Sequence, residues 1–205
     1  MRLHSYVVAR DYGFAPNPFF GVCTLATCKP VIRRTVAIGD WVIGTGSKTN
    51  GREKHLVYAM RVNGAMKFEE YWADPRFQTK KPNLRGSRKQ AYGDNIYSRS
   101  PTTGRWGQSN SHHSLNDGSP NHKNITKDTG TNRILFSEDF AYFGRSGPRI
   151  PQRFLNWGPT HENVCAVFGH KNRFPKKMVE EVVAWIRSLG ETGYCGEPLD
   201  WRSPE

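Results

Sequence analysis

Short apolar segments separated by polar turns fill residues 1–66, and this spacing constrains the fold more than any other feature of the chain. Residues 3–9 read as a strand, residues 39–44 as a buried strand between glycines, and residues 55–62 as a strand alternating outside and inside. An Asn-Gly turn within residues 47–52 predicts a hairpin loop between the last two strands. Several strands at such short spacing predict a small β-barrel or a curled sheet.

Helices and further strands follow along the chain. Residues 66–73 carry three aromatic side chains on one side and end before an Asp-Pro pair, which predicts a short helix. Residues 175–189 begin with proline, end before glycine and have a broad apolar face, so we expect a second helix there. The β pattern returns at residues 133–137, 140–144 and 164–168.

A long polar stretch separates these regions. Residues 76–132 contain few aliphatic side chains but keep aromatic anchors that a disordered linker would not need. The stretch is either a mobile insert or a functional one, and we favour the functional interpretation. We expect a single domain over 1–205, with barrel and helices in 1–75 and 133–190 and a loop-rich insert in 76–132.

Composition points to a polyanionic ligand. The net charge is +12, with 30 Lys and Arg against 18 Asp and Glu. No apolar run is long enough to span a bilayer, so we expect a cytoplasmic protein with no membrane partner. Cys23 and Cys28 are spaced C-x4-C without a second pair at zinc-finger spacing. We therefore expect reduced thiols, no metal and no cofactor.

Aromatic side chains crowd the loop after the first strand. Tyr12 and Phe14 lie among Gly, Pro and Asn residues, together with Arg10, Asp11 and Asn17. Rings in such a loop either fill the core or stack on a base, and both interpretations stay open. Asn can pair with an adenine-like edge and Asp can accept from an exocyclic amine, so these polar side chains favour base recognition.

Two further segments are candidates for phosphate contact. The basic run at residues 29–34 places Lys29, Arg33 and Arg34 close together, where they can neutralise phosphates. Residues 44–47, Gly-Thr-Gly-Ser, follow a buried strand and can offer backbone amides and the hydroxyls of Thr45 and Ser47 to an anion. This segment is not a Walker A sequence, and an ordinary turn at a strand end is the alternative.

Adjacent histidines are the candidates for catalysis. Either His112 or His113 could act as a general base, with Asp94 as the carboxylate that orients it. A pair of surface histidines in a polar loop is the alternative. The chain has no G-x-S-x-G, H-E-x-x-H or deaminase zinc signature, which disfavours catalysis by those routes.

Several blocks of sequence lie across most of the chain, at residues 5–18, 23–30, 39–41, 86–87 with 93–97, 111–114, and 136–140 with 147–148. These blocks resemble the second of the nucleotide modification associated domain families. The resemblance implies association with phage and bacterial systems that modify nucleobases or defend against foreign nucleic acid. It leaves the biochemical activity open.

A second resemblance concerns the fold. The order of strand, aromatic loop, basic segment and Gly-Asp strand is similar to the PUA-like superfamily, especially its EVE and ASCH members. It implies an α+β fold with a small β-barrel, peripheral helices and, here, a long polar insert. Carried over, the base-binding pocket would fall near residues 10–14 and 45–47, with Asn95 and Tyr97 as further members.

Three functions remain as hypotheses. The first is a binding module that holds a modified nucleobase through the aromatic loop, with nucleic acid or a free nucleotide as partner. The second is a nucleotide- or base-modifying enzyme with the site formed by His112, His113 and Asp94. The third is a component that only contacts protein partners of a modification or defence system.

Overall fold

The computed structural model of the protein describes residues 1–201, which form a mixed α/β structure with several sheets. The strands in chain order are β1 (Leu3–Val7), β2 (Cys23–Leu25), β3 (Trp41–Thr45), β4 (Leu56–Arg61), β5 (Gly64–Met66), β6 (Tyr97–Arg99), β7 (Trp106–Gln108), β8 (Ile134–Ser137), β9 (Phe140–Tyr142), β10 (His170–Lys171) and β11 (Gly193–Tyr194). The helices are α1 (Pro30–Thr35), α2 (Phe68–Ala73), α3 (Arg88–Ala91), α4 (His122–Thr129), α5 (Gln152–Leu155) and α6 (Lys176–Ser188), with 3-10 turns at Pro75–Lys80 and Gly144–Ser146.

The chain divides into two compact units. The first unit contains Met1–Tyr12, Val36–Val62 and the chain from Glu138 onward. Its sheet has the strand order β10-β1-β3-β4-β9-β11, with β1 parallel to β3 and β9 parallel to β11. Its edge strands β10 and β11 do not pair with each other, so this sheet is open, and the expected small β-barrel is not formed.

Helix α6 packs its apolar face on the core of the first unit. Met178, Val182 and Ile186 lie on one side of this helix and join Trp41 and Ile43 of β3 in a single buried cluster. The spacing of four residues along α6 and of two along β3 therefore explains how the two elements meet. On β3, Gly44 is required because a Cβ there would lie 2.5 Å from the ring of Tyr58.

The second unit contains Gly13–Thr35 and Asn63–Ser137. A three-stranded antiparallel sheet has the order β2-β8-β5, and β6 and β7 form a separate hairpin. Residues 76–132 belong to this unit and contain α3, β6, β7 and α4. The stretch expected to be loop-rich thus carries secondary structure of its own.

Most elements expected from the sequence are present. The predicted strands at 3–9, 39–44 and 55–62 and the predicted helix at 175–189 are confirmed as β1, β3, β4 and α6. The strand expected at 164–168 is wrong: the Asn163 side chain accepts from the amide of Cys165 and closes a turn there. Within residues 1–201, no helix has the length and apolar character needed to cross a membrane.

Candidate functional site

A thiol, an imidazole and a carboxylate form a hydrogen-bonded relay in the second unit. Nε2 of His113 lies 3.6 Å from Sγ of Cys28. Nδ1 of the same ring lies 2.9 Å from Oδ2 of Asp128. This is the order of groups that activates a nucleophile in covalent catalysis: the nucleophile contacts a base, and a third group orients the base.

Asp128 is the most heavily used acceptor of the relay. Its side chain is 1% exposed. The hydroxyl of Tyr97 donates to Oδ2 at 2.9 Å, and the backbone amide of Cys28 donates to Oδ1 at 2.8 Å. The carboxylate therefore orients the His113 ring and also fixes the backbone that carries the thiol.

The backbone at Cys28 adopts an uncommon conformation. Its φ is 57°, and that of Lys29 is 40°, so two consecutive residues with side chains occupy the left-handed region between β2 and α1. Such strain persists where the surroundings hold it in place, and it is concentrated at functional sites. Here it turns the chain sharply at the residue that bears the thiol.

Arg33 joins the two segments of the chain that carry Cys28 and Asp128. Its Nε donates to the carbonyl of Cys28 at 2.9 Å and its NH2 nitrogen to the carbonyl of Asp128 at 2.6 Å. Its NH1 nitrogen donates to the carbonyls of Thr131 and Arg133, each at 2.7 Å. One buried guanidinium thus satisfies four backbone carbonyls, one in the turn that carries the thiol and three in the segment from the end of α4 to Arg133.

His113 is held by its main chain as well as by its ring. Asn124 and Gln108 both donate side-chain N–H groups to the carbonyl of His113, at 2.9 and 3.3 Å. The ring of Phe14 packs on the His113 ring with centroids 4.6 Å apart. The imidazole therefore has little freedom to turn away from Cys28.

The electrostatics favour a charged imidazole. Burial lowers the pKa of His113, but its hydrogen bonds to Asp128 and Cys28 outweigh burial and raise that pKa to about 9. Burial raises the pKa of Tyr97 well above its usual value, so its hydroxyl remains a donor at neutral pH. A protonated His113 directs an N–H at the sulfur of Cys28, so a proton can pass between the ring and the sulfur.

The same three residues offer the donor types of a metal site. A ligand atom of Cys28, His113 and Asp128 each lies within 4.8 Å of the others. However, His113 directs Nε2 at the sulfur and Nδ1 at the carboxylate, on opposite sides of its ring. An ion bound to Nε2 would lie beside the sulfur but on the far side of the ring from the carboxylate. This arrangement therefore fits a catalytic relay better than a metal centre.

The predicted catalytic residues are only partly brought together. His113 belongs to the relay, whereas His112 is exposed and contacts the rings of Phe14 and Tyr92. The carboxylate that orients His113 is Asp128 and not Asp94. Asp94 is fully buried elsewhere in the unit, where each of its two oxygens accepts from a hydroxyl group. Burial raises the pKa of Asp94.

Predicted ligand residues of the first unit mostly have internal partners. The carboxylate of buried Asp11 accepts from the Tyr142 hydroxyl and the Leu199 amide. Thr45 is buried in β3, and the amide of Ser47 donates to the Asn50 side chain at 2.9 Å. These internal contacts already use the Asp11 carboxylate and the Ser47 amide, and reading of a base edge by Asp11 and an anion cradle at residues 44–47 stay predictions.

Arg10 and Tyr12 are the more accessible members of the predicted set in the first unit. Arg10 is exposed and Tyr12 is half-buried. The Tyr12 carbonyl accepts from the indole nitrogen of Trp201 at 3.0 Å. Stacking of a base on Tyr12 stays a prediction.

In the second unit, the predicted residues divide by burial. Arg34 is exposed and Lys29 is half-buried, and burial lowers the pKa of Lys29. The Asn17 side chain is buried and accepts from Nζ of Lys80 at 2.6 Å. Asn95 is likewise buried, with Nδ2 donating to the backbone carbonyl of Tyr71 at 2.9 Å.

Three more predicted ligand residues of this unit, Phe14, Arg33 and Tyr97, are buried and hold the relay in place. Cys28 and Asp128 are the members of the site that the sequence did not identify. Cys28 was expected only to be a reduced thiol, and Asp128 lies in a polar helix without any local signal. The one available signal was an unpaired cysteine beside the basic run, in the same chain as a histidine pair.

Comparison with known proteins agrees with the resemblance seen in the sequence. A family model described as nucleotide modification associated domain 2 matches residues 1–205, the whole chain. No curated protein and no solved structure matches the chain significantly. The chain therefore belongs to the nucleotide modification associated domain 2 family, and its role lies with nucleotide or DNA modification systems.

Proposed function

We propose that this protein is a thiol-dependent enzyme that acts on a nucleotide or on a base in nucleic acid. Cys28 is the nucleophile, His113 moves the proton, and Asp128 orients His113. The observation that carries the proposal is the relay itself, with distances of 3.6 Å and 2.9 Å between consecutive groups. Membership of a nucleotide modification family supports the substrate class.

A thiolate can add to the C6 carbon of a pyrimidine ring, which is conjugated to the carbonyl or amino-bearing carbon C4. The sulfur electron pair forms the S–C6 bond, and the C5=C6 π pair moves toward C4 and its oxygen or nitrogen. The N–H of His113 then delivers its proton to C5, which neutralises the adduct and leaves two hydrogens on this carbon. Loss of the original C5 hydrogen to His113 or to water restores the C5=C6 bond, breaks the S–C6 bond and regenerates the thiolate.

This reversible addition has a measurable signature, because C5 becomes able to exchange its hydrogen with solvent. Deoxycytidine and deoxyuridine oligonucleotides and the corresponding free nucleotides are incubated with the protein in D₂O, and deuterium at C5 is measured by mass spectrometry. We expect exchange with the wild type and none with Cys28→Ala. His113→Gln should slow exchange by about 10²- to 10⁴-fold.

Cys165→Ala is the matched control, because Cys165 is also a half-buried free thiol, in the first unit. Burial raises the pKa of Cys165 to about 11, so this thiol should not contribute. Equal exchange by Cys28→Ala and the wild type, or no exchange on any pyrimidine substrate, would contradict the proposal.

Recognition of a modified base without chemistry is the second candidate. Phe20 of the aromatic loop is 42% exposed and offers a ring for stacking, and the net charge of +12 suits phosphate. This candidate function includes three expectations from the sequence: a PUA-like relationship, a role in phage or bacterial antiviral defence, and protein partners of such a system. Oligonucleotide binding that Phe20→Ala weakens, without any exchange at C5, would support it over the enzyme.

A further inference from the structure

A loop of the first unit exposes two adjacent apolar side chains almost completely. Val167 is 95% exposed and Phe168 is 94% exposed, whereas the other exposed large hydrophobic residues range from 41% to 65%. Burying a phenylalanine is strongly favourable, so leaving this one in water costs free energy that an interaction can recover.

The base of this loop is anchored although its tip is exposed. The amide of Val164 donates to the carbonyl of Phe154 at 2.9 Å, and the amide of Cys165 donates to the Asn163 side chain at 2.8 Å. Gly169 has a φ of 63°, which turns the chain back toward β10 directly after Phe168. The two apolar side chains are thus presented at the tip of a fixed turn.

The surrounding sequence is mainly basic, with Glu162 and Glu180 at its two ends, where they pair with Lys171 and Lys176. Residues 163–179 contain four Lys and Arg residues and no Asp or Glu. Lys171 has internal partners, because Nζ donates to the carbonyl of Asn163 at 3.0 Å. The remaining three, Arg173, Lys176 and Lys177, are exposed.

We propose that Val167 and Phe168 form a wedge that stacks on or inserts between the bases of a nucleic-acid strand, while Arg173, Lys176 and Lys177 contact its phosphates. Apolar wedges beside cationic side chains separate base steps in this way, and stacking accepts any base. An anionic membrane is the weaker fit, because interfacial binding uses a continuous apolar face and this loop tip offers two residues.

The wedge narrows the substrate of the proposed enzyme, and this step rests on the proposed function. The base on which the enzyme acts would lie in a nucleic-acid strand and not in a free nucleotide. Only a strand supplies stacked bases for the wedge and several phosphates for the exposed cations. The wedge and the three exposed cations all belong to the first unit.

Fluorescence anisotropy with a labelled single-stranded oligonucleotide tests the wedge. Phe168→Ala should weaken binding by about 5- to 100-fold, the value of one stacked base. Ile38→Ala is the matched control, because Ile38 is 65% exposed in the same unit but lies outside this loop. This variant should bind the oligonucleotide with unchanged affinity. Lys176→Gln with Lys177→Gln should reduce the slope of log K against log salt by about 1.4 on a single strand.

Stacking itself is read from 2-aminopurine placed in the oligonucleotide, whose fluorescence should fall on binding to the wild type and stay unchanged with Phe168→Ala. Equal affinity of Phe168→Ala and the wild type would overturn the proposal. Equal competition by mononucleotides at the same phosphate concentration, or Phe168-dependent binding to anionic vesicles in place of oligonucleotides, would also overturn it. Binding that depends on Phe168 without exchange at C5 would refute the proposed chemistry and leave the wedge intact.

Discussion

Asp128 holds the imidazole of His113 through a 2.9 Å contact between Oδ2 and Nδ1, and the same carboxylate accepts the amide of Cys28. The side chain that orients the base thus also positions the nucleophile. Substitution of Asp128 should therefore show how much the orientation and the charge of the His113 ring depend on this carboxylate.

Asp128→Asn keeps the shape of the side chain and removes its charge. Without that charge, the pKa of His113 should fall from about 9 toward its usual value near 6.5. Histidine ring signals in NMR titrations report this pKa directly. The rate of C5 exchange should fall together with it.

Asp117→Asn provides the control for this titration, since Asp117 is an exposed carboxylate near His113 in sequence whose partner is Ser119. That variant should leave the pKa of His113 near 9. An unchanged His113 titration in Asp128→Asn would mean that the ion pair does not govern the imidazole.

The raised pKa of His113 also predicts how stability depends on pH. The folded state binds the proton more tightly than the unfolded chain, so the stabilisation is complete below about pH 6.5 and is lost as pH rises through about 9. A difference of this size corresponds to about 3 kcal/mol. Urea unfolding at pH 6 and pH 10 should show this loss in the wild type.

His113→Gln should lack most of that pH-dependent loss. Lys80 acts in the opposite direction, because burial lowers its pKa to about 8, but it is common to both proteins and cancels in the comparison. A wild type and a His113→Gln variant with parallel pH profiles would be inconsistent with a charged His113 in the folded state.

Local patterns were sufficient for individual elements of this fold. The short apolar runs of β3 and β4 are buried on both faces, and the four-residue spacing in α6 follows from burial of one face, so the sequence shows all three patterns directly. Closure of the sheet depends on which strands pair over long distances. The edge strands β10 and β11 have two residues each, too short to carry a pattern, and the barrel was therefore expected wrongly.

The site was predictable only where its chemistry was visible in one segment. His113 stood out beside another histidine in a polar loop, whereas Cys28 is 85 residues away from it in the chain. Asp128 is 100 residues from Cys28. Only folding brings these groups together, and no periodicity in a single sequence encodes such a distant contact.

The buried guanidinium of Arg33 joins these distant segments, because it donates to the carbonyl of Cys28 and to carbonyls at residues 128–133. Arg33→Lys replaces a planar group that reaches four carbonyls with one ammonium that cannot span them. Buried carbonyls left without donors should lower the free energy of unfolding by about 3 kcal/mol. Arg34→Lys is the adjacent control, and because Arg34 is exposed, its effect should stay within about 0.5 kcal/mol. Urea denaturation measures both, and equal stability of the two variants would show that Arg33 does not hold the segments of Cys28 and Asp128 together.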